Sequence, residues 1–328
     1  NGTFKTLSYS GTWIDQFIRN LGHGVDVFFL ISGFLITYLL LEEKKAIGKI
    51  SIWKFMVRRS LRIWPLYFLI IAIGPVLVSW LQEPSPNYTW NLLFIGNFDV
   101  IFTEKWLYPF AHLWSICIEE HFYLVWPFIV LFASIRGVIV ACLSLIVVSI
   151  ITRIFLVQNG YETYFFTFAR LDEISLGCFL AVLEHKKVLD KLPLKWIQWA
   201  FLIVVLSAAI LWFKFTAQAN PIIQVIKYQF ISITYLLGVA WAVLAPKENL
   251  IIRFLSSKLM TFTGSISYGI YVYQALAIEW VKHYNLTNNL MFFAAVIIAI
   301  YLIASISFYG IEKPILSLKN KLTPQPAQ

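Results

Sequence analysis

The stretch EEKKAIGKISIWKFMVRRSLR, residues 42–62, separates two apolar runs, 25–41 and 64–81. It holds Lys44, Lys45, Lys49, Lys54, Arg58, Arg59 and Arg62, seven of the 26 basic residues in the chain. Loops rich in Lys and Arg stay on the cytoplasmic side of a membrane, so this stretch sets a register for everything around it. Its closely spaced arginines also admit a second role, the binding of a phosphorylated ligand.

Composition supports the membrane reading. Of 328 residues 59% are hydrophobic and 13% charged, with a mean hydropathy of +0.75. Soluble domains carry roughly 45–50% apolar and about 25% charged residues. Thirteen Trp and 16 Tyr suit rings that sit among lipid headgroups. The net charge of +9 is mostly one-sided, which argues against nucleic acid as a partner. Cys117, Cys142 and Cys178 lie in apolar runs without CxxC spacing or a nearby His pair, so neither a disulfide framework nor a metal site is expected.

A membrane-crossing helix needs about 20 apolar residues. Nine segments qualify: 25–41, 64–81, 112–134, 137–157, 164–183, 196–215, 228–246, 259–280 and 290–310. With 42–63 inside, the other cytoplasmic parts are 135–136, 184–195, 247–258 and the tail after 310. These parts hold 18 of the 26 basic residues, against six on the opposite side: Lys5, Arg19, Lys105, Lys214, Lys227 and Lys282. Arg153 and Arg170 fall within spans. The predicted fold is therefore all-α, a single polytopic transmembrane helix bundle over 1–328 with its C-terminus cytoplasmic.

Nine spans would put the N-terminus outside, and residues 1–24 lack the basic start and apolar core of a signal peptide. The expectation is a tenth span preceding Asn1, the alternative a true N-out protein. The sequons at Asn1, Asn87 and Asn285 all fall outside in this register.

Ionisable groups inside a span are costly and usually face a protein interior or a water-filled cavity. The third span is rich in them. At 100° per residue His112, Ser115, Glu119, Tyr123 and Trp126 share one stripe, with Glu120 rotated off it. Seven residues separate His112 from Glu119, about 10 Å along a helix, too far for a direct hydrogen bond but suited to lining one tunnel. Either His112 or a carboxylate could be a general base. The plainer reading puts His112 at the headgroups and pairs Glu119 with an arginine. Arg170 and Glu173 are spaced to pair on one face, as a brace for the bundle or as part of the polar cavity, with Asp172 between them. Asp26 reads as a helix-end or cavity-mouth residue, and Ser32 and Gly33 as a close-packing pair. Lys54, Arg58 and Arg62 recur every four residues, with Arg59 beside them. Lysine would serve topology as well, whereas the planar guanidinium suits phosphate. No GxxxxGK[ST] or GxGxxG is present, which disfavours nucleotide hydrolysis and a Rossmann site.

Six stretches, in order, resemble the acyltransferase-3 family of integral membrane proteins: GHGVDVFFLISGFLI (22–36), FMVRRSLRIWPLY (55–67), HLWSICIEEHFYLVWP (112–127), ARLDEISLGCFLA (169–181), TGSISYGIYVYQ (263–274) and YGIEKPI (309–315). The resemblance implies a ten-span bundle in a bacterial inner membrane that moves an acyl group, usually acetyl from acetyl-CoA, onto a hydroxyl of a cell-envelope saccharide. By that analogy Arg58, Arg59 and Arg62 hold the coenzyme A phosphates, and Glu119, His112 and Glu120 serve the chemistry. Asp26, Tyr123, Arg170, Asp172, Tyr268 and Gln274 would line the polar cavity. The resemblance also locates a catalytic histidine in the first span, the one expected before Asn1, so that the chain as it stands would be inactive alone. Gln274 stands where His is usual and cannot titrate. His121 stands where Gln is usual. A transporter with intramembrane charges along its path is the main alternative, and a non-catalytic scaffold the lesser one.

Overall fold

The computed structural model of the chain describes residues 24–82, 84–103, 110–161, 163–214, 221–284 and 288–322. Asn1, Lys5, Arg19, Gly22, His23, Lys105 and Asn285 lie outside the described residues. Among the described residues every regular element is helical. Two compact units share the chain: Asn1–Ile50 with Ile118–Asn249, and Ser51–Cys117 with Leu250–Gln328.

The first unit is built from α1 (Gly24–Ile47), most of α6 (Trp114–Phe132), α7 (Ile135–Gln158), α8 (Leu171–His185), α9 (Leu194–Lys214) and α10 (Pro221–Leu244). Glycine sets the closest contact. A Cβ on Gly33 of α1 would run into the Ile174 carbonyl of α8, and one on Gly177 of α8 into the Leu30 carbonyl of α1. The two backbones approach as small residues allow in a membrane bundle, the role predicted for Gly33. Side chains then fix direction. Asp26 meets Arg170 at one end of the α1–α8 pair and Glu42 meets His185 (2.7 Å) at the other, so the helices run parallel. Ser32 with Tyr123 (2.5 Å), Thr37 with Trp126 (2.8 Å) and Lys44 with the Val130 carbonyl (2.8 Å) make α1 and α6 parallel too. A short turn joins α7 to α6, and Ser134 caps its start through its hydroxyl.

Helix α7 shows what solvent this fold is made for. Val140, Leu143, Val147, Ile151 and Phe155 form its exposed stripe, while Cys142, Ser149 and Arg153 are buried. Apolar outside and polar inside is the inverse of a soluble helix and fits lipid contact.

The second unit holds α2 (Ile52–Ala72), α3 (Gly74–Leu81), the short α4 (Tyr88–Leu92) and α5 (Gly96–Thr103), a 3-10 turn Ala111–Leu113, α11 (Leu250–Leu255), α12 (Lys258–Lys282), α13 (Asn289–Ser307), a π turn Phe308–Glu312 and α14 (Lys313–Leu322). Its α12–α13 hairpin closes over Ala277, Val281, Ala299 and Ile300. The basic stretch is half helix: α2 begins at Ile52, capped by Ser51, so Lys54 through Arg62 are helical. The span expected over 64–81 is two helices bent by 49° at Ile73. Pro75 explains the break, since it has no N–H to give the Ile71 carbonyl and its ring crowds that carbonyl, while Pro is tolerated in the first turn of the helix that restarts there.

Each of the nine predicted segments overlaps a helix, although 164–170 precedes α8. By length and composition, five helices among the described residues can cross a membrane: Gly24–Ile47, Ala111–Phe132, Ile135–Gln158, Val225–Leu244 and Leu290–Leu318. The bent pair would make a sixth. Helix α8 has only 15 residues. The protein is an integral membrane protein.

Candidate functional site

In the first unit the charged residues of 164–183 form one buried network. Arg170 immediately precedes α8, and Asp172 and Glu173 occupy its first turn, where carboxylates suit the helix dipole. Arg170 pairs with Asp26 and with Glu173 (3.0 Å), all three fully buried. Its guanidinium carbon lies 4.7 Å from the Tyr164 ring centroid and 4.6 Å from that of Tyr228. Arg153 of α7 grips Asp172 with both fork nitrogens (3.1 and 2.7 Å) and donates to the Ala169 carbonyl at 2.5 Å. Gln229 of α10 completes Asp172 at 2.9 Å. Two guanidiniums thus face three carboxylates and tie α1, α7, α8 and α10 together. Of the predicted cavity residues, Asp26, Arg170 and Asp172 are brought together here, as a brace. Arg153 was visible in the sequence only as a charge within a span, and its partner 19 residues away was not.

Helix α6 faces α1 through Tyr123 and Trp126. Glu119, one turn before Tyr123, is half-buried, as is Glu120. The His121 Nδ1 lies 3.0 Å from the Thr167 hydroxyl.

His112 belongs to the second unit, and the predicted stripe needs correcting there. It lies in the 3-10 turn Ala111–Leu113, ahead of α6, so the 100° spacing does not reach it. Such turns are common at helix starts. Its ring is buried, with Nε2 at 3.1 Å from the Val272 carbonyl. A carbonyl only accepts, so Nε2 carries the proton and Nδ1 is the basic nitrogen. Tyr271 packs edge-on against the ring and donates its hydroxyl proton to the His112 carbonyl. Ser115 in turn donates to the Tyr271 oxygen at 2.6 Å. Ser115 was on the predicted stripe, whereas Tyr271 and Val272 were not singled out from sequence, although both sit in a matching stretch.

Also in this unit, α2 carries the basic stripe. Arg58 and Arg59 are half-buried and Arg62 is exposed, with the Arg59 guanidinium 5.8 Å from the Phe55 ring centroid. Three residues after Arg62, Pro65 leaves the Leu61 carbonyl without its helical donor. The Tyr268 hydroxyl donates to the Ile63 carbonyl at 2.7 Å, pinning α12 to this turn. Gln274 is half-buried on α12. Nothing among the described residues groups three metal-binding side chains.

The family model for an acyltransferase domain matches residues 4–309. The chain is 29% identical over 315 residues to the Staphylococcus aureus protein named O-acetyltransferase OatA, covering 89% of this chain and 52% of that one. It is 30% identical over 318 residues to YrhL of Bacillus subtilis, provisionally named a peptidoglycan O-acetyltransferase, covering 89% and 50%. The chain thus spans about half the length of the curated relatives it matches. No solved structure matches it. With its matched region running almost from end to end, the chain belongs to the acyltransferase-3 family.

Proposed function

We propose that the protein is a membrane O-acyltransferase that moves an acyl group, acetyl by analogy with the relatives' names, from acyl-CoA on the cytoplasmic side to a hydroxyl of a cell-envelope saccharide. The observation that carries this reading is α2: a helix in an acyltransferase-family chain that presents Arg58, Arg59 and Arg62 within two turns. Guanidinium forks at that spacing suit the several phosphates of coenzyme A. His112, through Nδ1, and the half-buried Glu119 and Glu120 are the groups we assign to orienting the acceptor or moving its proton. Transfer breaks the thioester C–S bond and forms the ester C–O bond, and the hydroxyl proton ends on the leaving thiol.

The same reading includes the nine-span register with its C-terminus inside. The helix directions support it. Alternation makes the first, third and fifth predicted segments point the same way, and α1, α6 and α8 are parallel.

Membrane vesicles containing the full-length protein, with the span expected before Asn1 in place, given labelled acetyl-CoA on their cytoplasmic face and envelope glycan on the other, test the assignment. Alkali-labile label on the glycan is the expected result. Unlabelled glycan, with the acetyl-CoA bound and intact, would remove the saccharide acceptor from the account.

A further inference from the structure

Among the described residues of the second unit, Glu312 is the one buried carboxylate, 6% exposed. It ends the π turn Phe308–Glu312 between α13 and α14. The wider turn places one extra residue in the register, the kind of local insertion that recurs at functional positions. Here it carries Glu312 inward, while its neighbours Tyr309, Gly310 and Lys313 are exposed. Ser307, itself 3.1 Å from the Tyr273 hydroxyl, hydrogen-bonds to the carboxylate. The other oxygen, Oε1, is enclosed and has no protein hydrogen-bond partner among the described residues.

The space around that oxygen depends on Gly269 of α12. A Cβ at this position would lie 3.3 Å from Oε1 and 3.3 Å from the Ala304 Cβ. The preceding residue, Tyr268, is the one that pins α12 to the Ile63 carbonyl. Arg62, next to Ile63 on α2, lies within electrostatic reach of Glu312. An enclosed carboxylate oxygen with an open lone pair destabilises a fold unless a donor reaches it.

We propose that Glu312 is a positioning residue for the donor site. Its open oxygen takes the inner edge of the Arg62 guanidinium when the outer edge engages the phosphates of acyl-CoA. A guanidinium has donors on two edges, so a carboxylate on one fixes the plane offered by the other. The inference rests on the reading of Arg58, Arg59 and Arg62 as the donor site.

A double-mutant cycle tests it, with acetyl-CoA binding to the purified protein in detergent measured by calorimetry and the melting temperature recorded alongside. Arg62→Gln and Glu312→Gln are each expected to weaken binding about five- to tenfold at unchanged melting temperature, and the double variant to bind no worse than Arg62→Gln. Glu312→Asp, which keeps the charge, should fall between parent and Gln. Unchanged or tighter binding by Glu312→Gln overturns the proposal, as do losses that multiply in the double variant. Should Glu312→Gln not fold, Gly269→Ala crowds Oε1 without removing the charge. Weakened binding there supports the proposal and parent-like binding overturns it. If Arg62→Gln binds normally, the donor-site reading itself has failed. If only Glu312→Gln does, the donor site stands and Glu312 has no part in it.

Discussion

At the scale of single residues, five buried charges hold the first unit, Arg153 and Arg170 against Asp26, Asp172 and Glu173. Arg170 and Glu173 were spaced to pair, and they do, because three residues along a helix is a local relation. The Arg153–Asp172 pair joins two helices and has no local signature, so only the structure could assign it. Lys44 makes the same point. Counted in sequence as one of the cytoplasmic charges, it also donates to the carbonyls of Val130, Leu131 and Ala133 at 2.8–2.9 Å and so closes the C-terminus of α6. The Asp172 pair carries the sharpest stability prediction. Removing one member of a buried ion pair costs about 3–5 kcal/mol because it strands the other charge. Asp172→Ala is therefore expected to lower the melting temperature strongly in detergent, and Asp172→Ala with Arg153→Met to recover much of the loss. A single variant that melts like the parent would show that the network is no brace.

At the scale of elements, periodicity and length located the helices well and their ends poorly. All nine segments overlap helix, and the four-residue recurrence of Lys54, Arg58 and Arg62 already pointed to a helical face, while nothing in the charge pattern marked its start at Ile52. Reading 64–81 as one span missed the break at Ile73, which Pro75 imposes, and the 3-10 turn at His112 has no local signature. The α1–α8 contact offers a direct check. Gly33→Ala places a methyl against the Ile174 carbonyl, backbone on backbone, where neither side can yield cheaply. We expect a loss of several kcal/mol, in line with overpacking at about 1–3 kcal/mol or more, read as a lowered melting temperature or loss of the monodisperse peak. Gly24→Ala, with nothing within 4 Å of its Cβ, should be close to neutral. Equal behaviour of the two variants would contradict the close packing.

For the whole molecule, membrane class followed from composition and family from six ordered stretches, while the pairing of donor and acceptor chemistry to named residues did not follow from either. The orientation proposed here makes a simple prediction. The three native cysteines are buried, so single introduced cysteines report sidedness. Lys45→Cys and Lys186→Cys should react with a membrane-impermeant maleimide only after cells are permeabilised, and Tyr161→Cys should react in intact cells. The reverse pattern would invert the register and, with it, the side on which α2 meets its ligand. That ligand is the central claim, and acyl-CoA binding to the purified protein tests it most directly. Replacing Arg58, Arg59 and Arg62 together by Lys keeps every charge and removes every guanidinium fork. The account predicts saturable acetyl-CoA binding weakened at least about tenfold in the triple variant, or about 1.4 kcal/mol. Equal affinity of parent and triple variant would show that these arginines serve topology alone.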